Sequence, residues 1–327
     1  MLRLLQSIFG GGEVKGAYPE SIVKMAIERA VDGTDPWLRS VSGYKKKLRP
    51  AVIHAIDHVI ALVNELPPPI PVGLQSGGDD PLLKAFFISL DEMRKVFGTD
   101  RVLAGFLRGA AVVPEKVVAL LVMAMDEKVI LGAELSGDIV VRDVPQMTVS
   151  FDGHRLVDPS GDQDETRRML MRRAYDNLLK YALRRITTTK TERKDLARRH
   201  ALLQSKLSIL ERGGWGFEGS GSADSSDVPG LEEQIRQIEA QLLEIGRDYR
   251  MLEVYLDILI EVLGRPEEHL WAQKETLILD SMGIKRNQLT SNAHELAIPM
   301  LCSSEGQRIV TMLVALSGEE LHSWMAF

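Results

Sequence analysis

The sequence predicts an α+β protein: a helical N-terminal unit, then a small antiparallel β-domain, meander or barrel-like, interrupted by a long antiparallel coiled-coil hairpin. Three observations carry this expectation. Before residue 113 nearly every apolar residue recurs at helical spacing. Short runs of branched apolar residues bounded by turn residues stand on both sides of the chain's middle third. Between them lie two long arms, Thr166 to Arg212 and Leu231 to Leu263, each with an apolar residue every three or four positions. The implied segments are 1–112, 113–161 together with 265–327, and the insertion 162–264.

Composition sets the bounds. The chain has 327 residues, 45% hydrophobic content and a formal net charge of -6. That is an ordinary globular composition, and its acidity argues against a protein that coats nucleic acid, although a local basic face can hide in it. A single cysteine, Cys302, cannot form an internal disulfide and points to a reducing, cytoplasmic setting. The stretch MLRLLQSIFGGG is too short and broken for a signal-peptide core, and no uninterrupted apolar run is long enough to span a membrane.

In chain order, Pro19 opens a helix with Ile22, Val23, Ala26, Ile27 and Ala30, closed by Gly33. Asp35-Pro36 opens another helical stretch carrying Trp37, Leu38, Val41 and Tyr44, which Pro50 should interrupt. Val52 to Val63 form a third, ending before PPPIPVGLQSGGDD, a stiff and then flexible connector. Asp80-Pro81 restarts a helix through Phe97, and a shorter one runs from Asp100 to about Leu107.

At about Val117 the pattern changes. VVALLVMAM and VILGAEL flank the polar triplet DEK as a hairpin, with a helix over 115–125 as the alternative for the first run. DIVVRDV and TVSFDG follow as a third and a fourth strand. Strand patterns return after the arms in TLILDSMG, HELAIPML and IVTMLVAL. The two groups are expected to belong to one β-domain.

The first arm has a seam of Tyr175, Leu179, Ala182, Ile186, Thr189, Arg193, Leu196, His200, Leu203, Leu207 and Leu210. The second has Leu231, Ile235, Ile238, Leu242, Ile245, Tyr249, Leu252, Leu256, Leu259 and Leu263. From 165 to 212 there are 14 Lys/Arg against 5 Asp/Glu, and from 231 to 264 there are 3 against 8. Opposite charge beside a shared seam favours pairing of the arms with each other. The glycine- and serine-rich loop 213–230 can reverse the chain, and the paired section would be roughly 50 Å long. Setting Leu231 near Leu210 exhausts the second arm near Leu179, so 166–178 must meet the body of the protein.

Candidate interaction residues follow from this. Arg167, Arg168, Arg172 and Arg173 lie on the unmatched stretch, where a partly solvated helix is the plain reading and a phosphate or acidic-partner surface the sharper one. Arg193 and His200, with Thr189, are polar members of an apolar seam, which suits register control or a third helix. Trp215 and Phe217 sit on the tip loop as a local staple or a docking anchor.

Catalytic and cofactor signals are weak. His54 and His58 have metal-ligand spacing but no catalytic glutamate between them. Asp152, His154, Asp158, Asp162, Asp164 and Glu165 suit a helix start better than a cation site. No phosphate-binding glycine motif or nucleophile elbow is present, Cys302 reads as a buried thiol, and no cofactor is implied. The expected function is a non-enzymatic cytoplasmic interaction or scaffold protein that uses the hairpin as a rigid arm, with a protein partner or self-association. The alternatives are nucleic-acid binding through the basic first arm, using Arg184, Arg185, Arg198 and Arg199 as well, and a metal-dependent enzyme built on 152–165.

Overall fold

A computed structural model describes residues 18–73, 80–110, 112–136, 139–212, 228–245, 250–290 and 292–324. Helix α1 is Glu20–Gly33, followed by a 3-10 turn, Pro36–Ser40, that Asp35 caps by accepting from the Trp37 N–H. Helix α2 is Tyr44–Asn64 and contains Pro50. The expected interruption is therefore absent, and the helix carries the proline inside its span.

The PPPIPV connector holds a short strand, β1, Ile70–Val72, which sequence reading missed. The helix expected over 81–97 is two helices, α3 Pro81–Phe86 and α4 Leu90–Thr99, followed by α5 Arg101–Gly109. Each of the three begins with a side-chain cap, from Asp80, Ser89 and Asp100 in turn. The Ser89 cap explains the division, because a serine that satisfies an N-terminal N–H starts a new helix.

The β-region departs most from expectation. Lys116–Ser136 is one strand, β2, and Ile139–Ser160 is one strand, β3. No turn occurs at DEK, and four expected strands become two long ones. Strands β4 Leu270–Asp280, β5 Ala293–Ser303 and β6 Arg308–Ser317 complete the set, and helix α9, Gly318–Trp324, follows. The sheet order is β3-β2-β6-β5-β4, antiparallel throughout, with β1 added parallel to β6. Pairing of β2 with β6 puts the strands before and after the arms in one sheet. The sheet is open, which removes the barrel alternative.

Strands β2 and β6 are apolar without alternation because both of their faces are covered, as in buried central strands. Val117, Ala119, Leu121 and Met123 join Val310, Met312, Val314 and Leu316 in a core completed by Phe86, Phe97, Leu103 and Leu321. The intervening Val118, Leu120 and Val122 are buried as well. Beyond Met123, β2 leaves β6 and pairs only with β3. There the outer edge of β3 is bonded in turn by residues 283–285, through Val149 N–H to the Gly283 carbonyl and Lys285 N–H to the Met147 carbonyl, both at 2.8 Å.

Helix α6, Gln163–Arg212, has 50 residues; α7 is Val228–Ile245 and α8 Met251–Gly264. Val228, Pro229 and Gly230, expected in the tip loop, begin α7. Compact unit one is built on Ile56–Tyr175 and Pro266–Phe327, and unit two on Glu13–Ala55 and Asp176–Arg265. The boundary falls inside α2 and α6.

Unit two has its own core. Ile22, Ile27, Leu48, Val52, Leu179, Ile186, Leu256 and Leu259 are all buried. Helix α1 ends so close to α6 that a Cβ on Gly33 would meet Leu179 Cδ1 at 3.2 Å. Arg29 donates to both carboxylate oxygens of Asp176, at 2.6 and 2.5 Å. Asp35 also receives the Lys190 ammonium at 2.7 Å, and Lys190 lies 4.8 Å from the Tyr255 ring centre.

Candidate interaction surface

The two arms run antiparallel within unit two. His200 Nε2 and Glu239 Oε1 are 2.9 Å apart, Arg193 Nη1 donates to the Leu242 carbonyl at 3.4 Å, and Arg185 pairs with Glu261 at 2.9 Å. These contacts lie within about two helical turns of the alignment that sets Leu231 against Leu210. Every described seam residue from Tyr175 to Leu210 is buried or half-buried, and so is every described member of the second seam.

The second arm is described as α7 and α8, and residues 246–249, which include the expected seam residue Tyr249, lie outside the described residues.

The polar seam residues have partners inside the hairpin. Arg193 and His200 bond across to the second arm, and Thr189 Oγ1 donates to the Arg185 carbonyl of its own helix at 3.1 Å. No third helix is required to satisfy them. Two of the three, Arg193 and His200, are thereby satisfied at cross-arm positions.

The arginines on the unmatched stretch lie in unit one, where three have structural partners. Arg167 donates to the carbonyls of Val63 and Leu66 at 2.6 and 3.0 Å, satisfying the C-terminal end of α2. Arg168 pairs with Glu165 and Asp162, and Arg173 forms a bidentate pair with Asp158 at 2.7 Å on both branches. Arg172 is half-buried. Thr166, fully buried, donates to the Val118 carbonyl, and Leu170, Met171, Ala174 and Tyr175 are buried around it. Trp215 and Phe217 lie outside the described residues.

The acidic cluster is dispersed in the same way. Asp158 is held by Arg173, Asp162 accepts from the Asp164 N–H, and His154 Nε2 lies 2.8 Å from the Phe86 carbonyl. His58 Nε2 is 2.7 Å from the Leu270 carbonyl. Among the described residues no group of three or more His, Cys, Asp or Glu is arranged to hold a metal ion. Cys302 is buried, with Sγ 3.7 Å from Gln273 Oε1.

The surface holds features that sequence reading missed. In unit two, Trp37, Leu202 and Leu243 are exposed. A cleft between the arms is lined by Glu192, Asp195, Glu244 and a lone Arg199, a predominantly acidic surface and the wrong sign for phosphate. Unit one exposes Ile88, Leu90, Val129, Ile130, Leu131 and Met282. The helical seams alone could signal Leu202 and Leu243, as leucines off the apolar stripe.

Among the described residues no helix is long and apolar enough to cross a membrane. No known family matches the chain, and neither does any curated protein or solved structure.

Proposed function

We propose that this chain is a non-enzymatic cytoplasmic interaction protein whose helical hairpin, the distal part of α6 with α7, is a docking arm. The observation that carries the reading is the exposure of Leu202 and Leu243 on a helix pair around which no further core lies among the described residues. Two helices bury one stripe on each other, and the remaining leucines gain nothing from exposure to water. A protein partner covering that shaft, or the tip loop with Trp215 and Phe217, would give them a role. The internal pairing of Arg167, Arg168, Arg173 and Arg185, with the acidic cleft between the arms, favours this over nucleic-acid binding.

The test uses two variants of the full chain, Leu202→Ser with Leu243→Ser for the shaft and Trp215→Ser with Phe217→Ser for the tip. Both should keep wild-type helicity and melting temperature, since none of the four changes removes a described core contact. One of them should lose a partner protein that the intact chain retains through purification and that binds it stoichiometrically. If the intact chain holds no such partner, or both variants hold it equally, the arm is not a docking element.

A further inference from the structure

The chain that follows β4 turns back as a short strap, 281–285, which is held firmly within itself and lightly from outside. Asp280 organises the inside. One of its carboxylate oxygens accepts from the Met282 and Ile284 N–H groups at 2.9 and 3.0 Å, and the other receives Arg286 Nε and Nη2 at 2.9 and 2.7 Å. A single side chain therefore ties the two ends of the strap together. The Asp280 backbone adds bonds to the Gly283 N–H and the Ile284 carbonyl.

The outer attachments are fewer. Val149 N–H donates to the Gly283 carbonyl and Lys285 N–H to the Met147 carbonyl, both at 2.8 Å, and Lys285 pairs with Glu127 at 2.9 Å. Gly283 has φ 72°, and a Cβ there would lie 2.9 Å from the Val149 carbonyl oxygen, so backbone rests directly on backbone at this point. Ile284 is buried, while Met282 is 76% exposed.

The strap also walls a cleft. Asp280, Ser281, Met282 and Gly283 line an open space of about 720 Å³ together with α3, the start of α4 and residues 148–152 of β3. Lys84, Glu92, Asp152 and His294 stand among the lining, but its apolar part is nearly sealed: Phe86, Phe151, Leu279 and Leu296 each keep 6% of their surface or less. The cleft exists, and its aromatic and leucine lining is largely withheld from water.

We propose that 281–285 is a movable lid on this cleft, which lifts from β3 as one body about Asp280 and Arg286 and opens the apolar lining to small apolar molecules. An element that is rigid within and lightly attached without is the kind that opens locally while its domain stays folded. Lifting gives up two hydrogen bonds, an exposed ion pair and the burial of Ile284. The main sheet is not disturbed, because β4 ends at Asp280 and keeps its ladder to β5.

The proposal is independent of the hairpin reading, and hydrogen exchange of the full chain, resolved to single amides, tests it. Val149 and Lys285 should exchange at one common rate, at least about tenfold faster than Leu121 in the centre of the sheet, because one opening frees both. Ile284 N–H, bonded to Asp280 inside the lid, should remain slower than either. Lys285→Gln removes the charge from the exposed pair with Glu127 and should raise the Val149 rate by about two- to fivefold. A lock completes the test. Thr148 and Ile284 lie opposite each other between the two hydrogen bonds, a placement with Cα atoms about 4.5 Å apart that a disulfide can span. Thr148→Cys with Ile284→Cys, once oxidised, should slow Val149 to the Leu121 rate and abolish the fluorescence that Nile red, an uncharged apolar dye, gains from the wild type. Reduction should restore both, which controls for loss of the Ile284 side chain. In the wild type, Val149 as slow as Leu121 would deny the opening, and Ile284 as fast as Val149 would show unravelling in place of a lifting lid. Either result overturns the proposal, as does a Nile red signal that is absent from the wild type or unchanged by oxidation of the lock.

Discussion

Within unit two, the same helix behaves differently along its length. Near Leu179, Ala182 and Ile186, α6 meets both α1, at Gly33, and α8, through Arg185 and Glu261, and all three seam residues are buried. From Thr189 outwards, with identical three-and-four spacing, every described seam residue is only half-buried. Periodicity is the same in both places because it reports which face turns inwards. Burial differs because it reports how many neighbours are there. A seam of leucines therefore identifies a packing direction, and the number of helices it meets must come from elsewhere in the chain.

This contrast yields a direct energetic comparison. Ile186→Ala removes a fully buried side chain from an enclosed site and should cost about 2–5 kcal/mol, the transfer loss plus the cavity. Leu207→Ala, on the half-buried section, should cost about 1 kcal/mol or less, because water reaches the gap. Urea unfolding followed by far-ultraviolet dichroism should show this difference as a large and a small midpoint shift. Equal shifts would mean that the outer section is as well enclosed as the inner one.

The polar contacts should divide along the same line. Asp35 is buried and both caps the 3-10 turn and holds Lys190. Removing it in Asp35→Ala should cost about 2 kcal/mol, a cap plus a charge-assisted hydrogen bond reduced by the half-exposure of the lysine. Asp35→Asn keeps an acceptor for the Trp37 N–H and should recover roughly half of that loss. His200→Ala, which breaks the exposed pair with Glu239 farther out, should cost less than about 1 kcal/mol. A larger loss at His200 than at Asp35 would reverse the comparison.

How much of this was legible depends on which physical effect dominates each segment. The seams, their antiparallel pairing and the need for 166–178 to meet the body all followed from spacing and arm length, and Arg167, Thr166 and Arg173 make that junction. The strands were misread where local chemistry imitates a turn. Asp126-Glu127-Lys128 is polar because β2 leaves the buried centre of the sheet there, and the strand continues through it. DIVVRDV and TVSFDG were separate strands in expectation, yet β3 carries Pro145 between them, as an outer strand can tolerate a residue that cannot donate to a ladder. Pro50 misled in the same manner within α2. The exposure of Val129 and Leu131 was illegible, since they alternate like core residues and nothing local distinguishes them from Leu121 and Met123.

Acid offers the mildest probe of the inner section. Glu28 on α1 is bonded by Lys45, by Arg39 and by the Tyr44 hydroxyl, and these partners hold its carboxyl down from 4.5 to about 2. A carboxyl more acidic in the folded than in the unfolded chain contributes fully above the unfolded value and loses that contribution as pH falls through the folded one. The stabilisation from Glu28 should therefore be complete above about 4.5 and decline towards 2. Its side chain is 34% exposed, so solvent screening limits the effect to about 1 kcal/mol. Wild type and Glu28→Gln should differ in urea midpoint at neutral pH and converge as the solution is acidified through that window. A gap that stays constant down to the lower limit would show that the carboxyl is not engaged by its three partners.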